Sequence, residues 1–129
     1  MIFDGDLLAE RARLTPDRIA IVAIETGERI TYAELNARAE HAADAVIAAG
    51  VGPGDRYGIL FHNCVDFLAL FFAAAKCGAI VVPLSTRATV HELNQVITDC
   101  SMTVLFHGPG FAELPSCRVA ELPGCRSTG

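Results

Sequence analysis

The residue pattern predicts an α/β fold: a parallel-sheet layer of β-α-β-α-β order, preceded by a helix and a β-hairpin. Three observations carry this. Beyond Gly54, short runs of apolar residues alternate with segments of helix length. Those runs are apolar at consecutive positions, as in strands covered on both faces, and this argues for right-handed crossovers between parallel neighbours. Two Thr-x-x-Glu boxes, at Thr31 and Thr89, mark helix starts. A length of 129 residues gives room for one domain. Hydrophobic residues at 52% and charged residues at 19%, against a usual level of about 25% charged, exclude intrinsic disorder and polar repeat arrays.

Each element has its own local signal. Asp6 opens a first helix that runs over Leu7-Leu8-Ala9 to about Leu14 and stops at Thr15-Pro16, because proline cannot continue it. Ile19 to Ile24 reads as a strand, Glu25 to Glu28 as its turn, and Arg29-Ile30 as a short return strand. From Thr31 a helix extends to about Ala49, with Tyr32, Leu35, Ala39, Ala42, Val46 and Ala49 inward and a Glu34–Arg38 pair expected outside. Gly50 ends it as a C-terminal cap. The alternation then runs strand Arg56–Phe61, helix Val65–Lys76, strand Ala79–Pro83, helix Val90–Asp99, strand Thr103–Phe106. The helix from Val65 is apolar nearly all round, so it is expected to be packed on more than one side. After Phe106 no period is sustained. Residues 1–106 are therefore read as the folded part and 107–129 as a linker or irregular tail.

A formal charge of -5, with no cluster of basic residues, makes nucleic acid and anionic membranes poor partners. The longest unbroken apolar run, Phe67 to Ala75, is too short to cross a bilayer. The first six residues hold two acids and no base, unlike a secretory signal, so the expected compartment is the cytoplasm. Five cysteines with no Cys-x-x-Cys spacing lack the signature of a zinc site or a disulfide framework.

Ligands of open α/β sheets gather at the carboxyl ends of strands. Three segments qualify by position: His62-Asn63-Cys64, Ser85-Thr86-Arg87 and His107-Gly108. His62 is a candidate base or ligand contact, although a histidine so placed more often only caps or lines a loop. Arg87 is a candidate partner for phosphate or carboxylate, although a helix-flanking arginine more often pairs with a nearby acid. His107 invites the same two readings, while His41 and His91 fall on polar helix faces. Cys64 stands at a helix start, where backbone amides would lower its pKa, yet no base is evident beside it. Gly50-Val51-Gly52-Pro53-Gly54 follows a helix and precedes a strand, the reverse of a dinucleotide-binding loop. No residue is assigned as catalytic, cofactor-binding or metal-binding.

The series Thr15-Pro16-Asp17-Arg18-Ile19-Ala20, Ile30 to Asn36, Gly50 to Arg56, Asn63, Phe67 to Gly78, Ala79 to Leu84 and Glu92-Leu93 resembles the N-terminal stretch of adenylate-forming enzymes, over roughly residues 7 to 106. Pro83-Leu84-Ser85-Thr86-Arg87 is similar to the Pro-Leu-Asn-x-Arg tract of acyl-CoA synthetases, whereas peptide-synthetase adenylation domains more often carry Pro-Leu-Asp-Pro. His62 departs from the proline that commonly precedes the asparagine. The resemblance implies an incomplete part of the large N-terminal domain of a fatty-acid or aromatic acyl-CoA ligase. Such an enzyme converts a carboxylate and ATP to acyl-AMP and then acyl-CoA, using ATP, Mg and coenzyme A. The family's Ser/Thr/Gly-rich phosphate loop with its lysine, and its catalytic C-terminal domain, have no counterpart here. The expectation is therefore a scaffold segment that binds no cofactor by itself, is not competent alone, and has the remainder of its parent enzyme as partner, with self-association through exposed apolar surface. The alternatives are a stand-alone interaction or ligand-binding module and a part of a peptide-synthetase adenylation domain.

Overall fold

In a computed structural model, residues 5–24, 26–62, 64–108 and 119–120 are described. The elements are α1 (Leu7–Leu14), β1 (Ile19–Val22), β2 (Arg29–Thr31), α2 (Tyr32–Ala48), β3 (Arg56–Leu60), α3 (Val65–Cys77), β4 (Ile80–Pro83), α4 (Val90–Asp99), β5 (Val104–His107) and β6 (Val119–Ala120). β1 and β2 form an antiparallel pair. The other four strands form one parallel sheet in the order β4-β3-β5-β6. The chain leaves β3 to one side for β4 and then returns past it to β5, so β3 and β5 are the two inner strands.

Both faces are covered, as the apolar strands require. Tyr57, Ile59 and Phe61 of the β3 segment join Val104 and Phe106 against Ala42, Ala43 and Val46 of α2 and Ala69, Leu70 and Ala73 of α3. On the other face Leu60 and Leu105 meet Leu93 and Ile97 of α4 together with Met102. A third cluster joins Leu8 of α1 to Ile30, Leu35 and Ala39, with Leu68 and Phe72 of α3 packed alongside. α3 thus packs on two sides, and Phe71 is left facing solvent.

Both capping boxes form: Thr31 accepts from the Glu34 amide and Thr89 from the Glu92 amide, each at 3.1 Å. The expected Glu34–Arg38 pair does not form. Glu34 is turned back onto Thr31 by its cap, and Arg38 instead donates to Glu28 at 2.9 Å. β1 ends at Val22 rather than Ile24, because the Ala23 carbonyl accepts from Gly27 in the turn. Ile24 is then 94% exposed. β5 starts one residue later than expected and includes His107. Within the stretch expected to be irregular, Val119–Ala120 pairs with Leu105 and Phe106, so the sheet continues past residue 106. A two-residue strand is too short to leave a periodic signature.

Two residues of β3 fix the depth at which the layers meet. The Tyr57 hydroxyl donates to the Leu70 carbonyl at 2.6 Å, and its ring meets Phe106 edge-on at a centroid distance of 6.0 Å. At Gly58 a β-carbon would run into the ends of the Met102 and Leu105 side chains, so a larger residue there would have to displace them from the seam with the end of α4. Arg56 closes the same end: it donates to the Cys100 carbonyl at 2.8 Å and the Ser101 carbonyl at 3.1 Å, where the last carbonyls of α4 need donors.

Burial raises the Tyr57 phenol above the ordinary tyrosine range, and the nearby Cys77 adds to the shift. An unfolded tyrosine ionises near about 10. Above that pH the unfolded chain loses its proton first, so Tyr57 contributes stability at lower pH that is lost as pH rises. Tyr57→Phe is expected to cost about 1 kcal/mol at neutral pH, read as a lower urea midpoint at unchanged slope. It should also flatten the decline in stability above pH about 10. Parallel declines in the two proteins would assign that loss to another group.

Candidate functional site

Sheet pairing sets the strand tips level with one another. Leu60 stands opposite His107, and Ile59 opposite Pro83. The Leu84 amide donates to the Ile59 carbonyl and the Gly108 amide to the Leu60 carbonyl, both at 2.9 Å. The three segments singled out by position therefore share one edge of the sheet. Because β3 leads to β4 on one side and β5 leads to β6 on the other, the gap between β3 and β5 is the point at which an open α/β sheet offers a crevice.

The side chains at this edge differ in character. His62 is exposed just past β3. Arg87 is exposed in the turn after β4, where its amide donates to Ser85 Oγ at 3.2 Å, and among the described residues no carboxylate forms an ion pair with it. His107 is buried, with Nδ1 2.8 Å from the carbonyl of Gly108. It belongs to the end of β5 rather than to the linker or tail in which residue 107 was expected. A β-carbon on Gly108 would come within 3.0 Å of Phe61, so backbone and ring close the bottom of this edge. Asn63 lies outside the described residues.

Cys64 is the N-cap of α3 in extended conformation and makes no side-chain capping bond. The thiol's pKa is raised, not lowered as a helix start suggested. Desolvation by the surrounding chain is the largest cause and the charge of Asp66 adds to it, outweighing the amides of Phe67 and Asp66. Cys64 is a poor nucleophile in this setting.

Arg87 is the only cation at the segments that share this edge. The sole lysine of the sequence, Lys76, sits in the last turn of α3, about 16 Å along the helix from its start, and is held there by Asp6 and Asn36. Asp66 adds a negative charge at the start of α3, where a phosphate would otherwise be favoured. Among the described residues no three His, Cys, Asp or Glu side chains are grouped to hold a metal ion. No described helix is long and apolar enough to cross a membrane.

A parallel sheet with helices on both faces, whose strand tips share one edge, defines an α/β class of fold. The chain belongs to the AMP-binding enzyme family, whose pattern it matches over residues 8–127. It is similar to a long-chain-fatty-acid–CoA ligase of Mycobacterium tuberculosis, FadD13, at 39% identity over 122 residues, covering 93% of this chain and 24% of that protein. A feruloyl-CoA synthase of an Amycolatopsis species is 39% identical over 109 residues, covering 84% of this chain and 22% of that protein. Among solved structures, the inhibitor-bound N-terminal domain of FACL13 from Mycobacterium tuberculosis superposes with a TM-score of 0.81 at 34% identity, over 93% of this chain and 34% of that one. The o-succinylbenzoate coenzyme A synthetase of Bacillus subtilis in complex with AMP gives 0.83 at 27% identity, over 89% of this chain and 30% of that one. The chain spans about a quarter of the length of the curated relatives it matches.

The raised thiol pKa has a direct readout. Cys64 should react with iodoacetamide more slowly than a free cysteine peptide at pH 7.5, with its rate rising to a plateau at higher pH than the peptide's. A faster reaction than the peptide at neutral pH would show that the helix amides prevail.

Proposed function

We propose that this chain is the N-terminal portion of an AMP-forming ligase that joins a fatty or aromatic carboxylic acid to coenzyme A, and that its own part in the reaction is structural. It supplies one sheet layer, while the phosphate loop, the adenine and ribose contacts and the closing C-terminal domain belong to further polypeptide. ATP, Mg and coenzyme A are then cofactors of the whole enzyme. The observation that carries this reading is the pairing of a family match over residues 8–127 with strand tips at which Arg87 is the one Lys or Arg among the described residues of the three segments. The tract from Pro83 to Arg87 and the named CoA ligases among the relatives favour coenzyme A as acceptor over a peptide-synthetase carrier. The thiols of Cys64, Cys77 and Cys100 are free, which suits a reducing compartment such as the cytoplasm.

The partner in this reading is the remainder of the enzyme. Ile80 at the end of edge strand β4, and Val90 and Val96 on α4, are exposed apolar residues available for such a contact.

Pyrophosphate release with ATP, Mg and a panel of fatty and aromatic acids tests the assignment. The 129-residue chain alone is expected to give no turnover above background. A longer polypeptide that continues into a Ser/Thr/Gly-rich loop with its lysine and a C-terminal domain is expected to turn over. Turnover by the short chain would overturn the structural role, and an inactive complete polypeptide would overturn the ligase assignment.

A further inference from the structure

Lys76, the only lysine of the sequence, has a side chain just 7% exposed. Its Nζ donates to Asn36 Oδ1 on α2 at 2.5 Å and to Asp6 Oδ2 at 3.1 Å, with Asp6 Oδ1 at 3.5 Å. Asp6 has a second duty. Its Oδ1 accepts from the Ala9 amide at 3.1 Å, capping the start of α1. A single carboxylate therefore both begins α1 and fastens it to α3.

Among the described residues little else holds this helix. Its buried side chains are Leu8 and Ala12, and the Arg13–Glu10 ion pair within it is exposed, where such pairs contribute little. Eight residues fall well short of the roughly 12–15 at which an isolated helix becomes marginal in water, so α1 cannot detach and remain helical. The chain just beyond it is anchored independently: the Pro16 carbonyl accepts from Ala33 at 3.1 Å and the Arg18 carbonyl from Tyr32 at 2.9 Å.

We infer that residues 6–14 form a two-state strap, either docked and helical under the Lys76–Asp6 latch, or undocked and unfolded while the sheet and the other helices stay in place. Undocking brings the Lys76 amine into water and uncovers the apolar surface of Ile30, Leu35, Ala39, Leu68 and Phe72 that Leu8 covers. Segments with few buried apolar groups open in this separate way. The chain's only lysine is open to acylating reagents in the undocked state alone.

Hydrogen exchange followed by mass spectrometry, run beside acetylation of Lys76 by an N-hydroxysuccinimide ester, tests this on the 129-residue chain. Amides of residues 7–14 are expected to exchange at least tenfold faster than those of β3 and with little dependence on added urea. Lys76 should be acetylated in step with that exchange and more slowly than a free lysine peptide. Asp6→Asn retains an N-cap, since asparagine caps as well as aspartate, and removes the charge. It should speed both α1 exchange and Lys76 acetylation about tenfold and leave β3 unchanged. The strap is overturned if α1 and β3 exchange together in the unaltered chain, or if Lys76 reacts at the free-peptide rate. It is equally overturned if Asp6→Asn speeds β3 as much as α1 or fails to fold, because the pair then holds the whole domain.

Discussion

The rest of the structure depends on a demand placed on β3, whose alternate side chains must satisfy two different cores. Tyr57, Ile59 and Phe61 complete the layer against α2 and α3, while Leu60 completes the layer against α4. Pairing on both edges, to β4 and to β5, satisfies its backbone in the interior, where an unpaired amide or carbonyl is costly. The polar Tyr57 is tolerated because its hydroxyl reaches a helix carbonyl, which ties the strand to α3 at one defined height. Once that height is fixed, the tips of all three principal strands come out level, and the edge where a ligand would approach follows from it.

Fold and site differed in how far they were legible in the sequence, for physical reasons. The Thr31 and Thr89 boxes state a helix start in four residues, and α2 and α4 begin where they say. Apolar runs at Tyr57–Phe61 and Ile80–Pro83 announce strands without help from the rest of the chain, but of the two only β3 is buried: β4 lies at the edge of the sheet and stays partly exposed, with Ile80 and Pro83 open to solvent. Partner choice is another matter. Glu34 sits at the right spacing for Arg38, yet spacing is blind to the competing backbone cap that claims the carboxylate. β6 is legible only through its neighbour, since two residues have no period. The strand tips could be located by topology, but the environment of each side chain there was not written locally. Cys64 shows this: its position at a helix start argued for a lowered pKa, and the desolvation that reverses the sign comes from the packing around it.

Lys76 was hidden for a related reason. A lone cation inside an apolar helix reads as an interruption, and its partners come from residues 40 and 70 positions away in the chain. The signal that could have exposed it is its uniqueness: a chain that otherwise uses arginine for every strong base places its one compact ammonium where Asp6 and Asn36 converge on it. The side chain so placed is committed to an ion pair that joins α3 to the start of α1.

The glycine in the middle of β3 has one more implication. Met102 puts its thioether where any larger residue at position 58 would need room, and the sulfur lies at the seam between the sheet and the end of α4. Peroxide converts a thioether to a sulfoxide, which is both bulkier and polar. Met102 is buried in an apolar cluster, so the fold shields this sulfur while it stays packed, and a sulfoxide formed on an opened chain would resist the return of the end of α4 to the sheet.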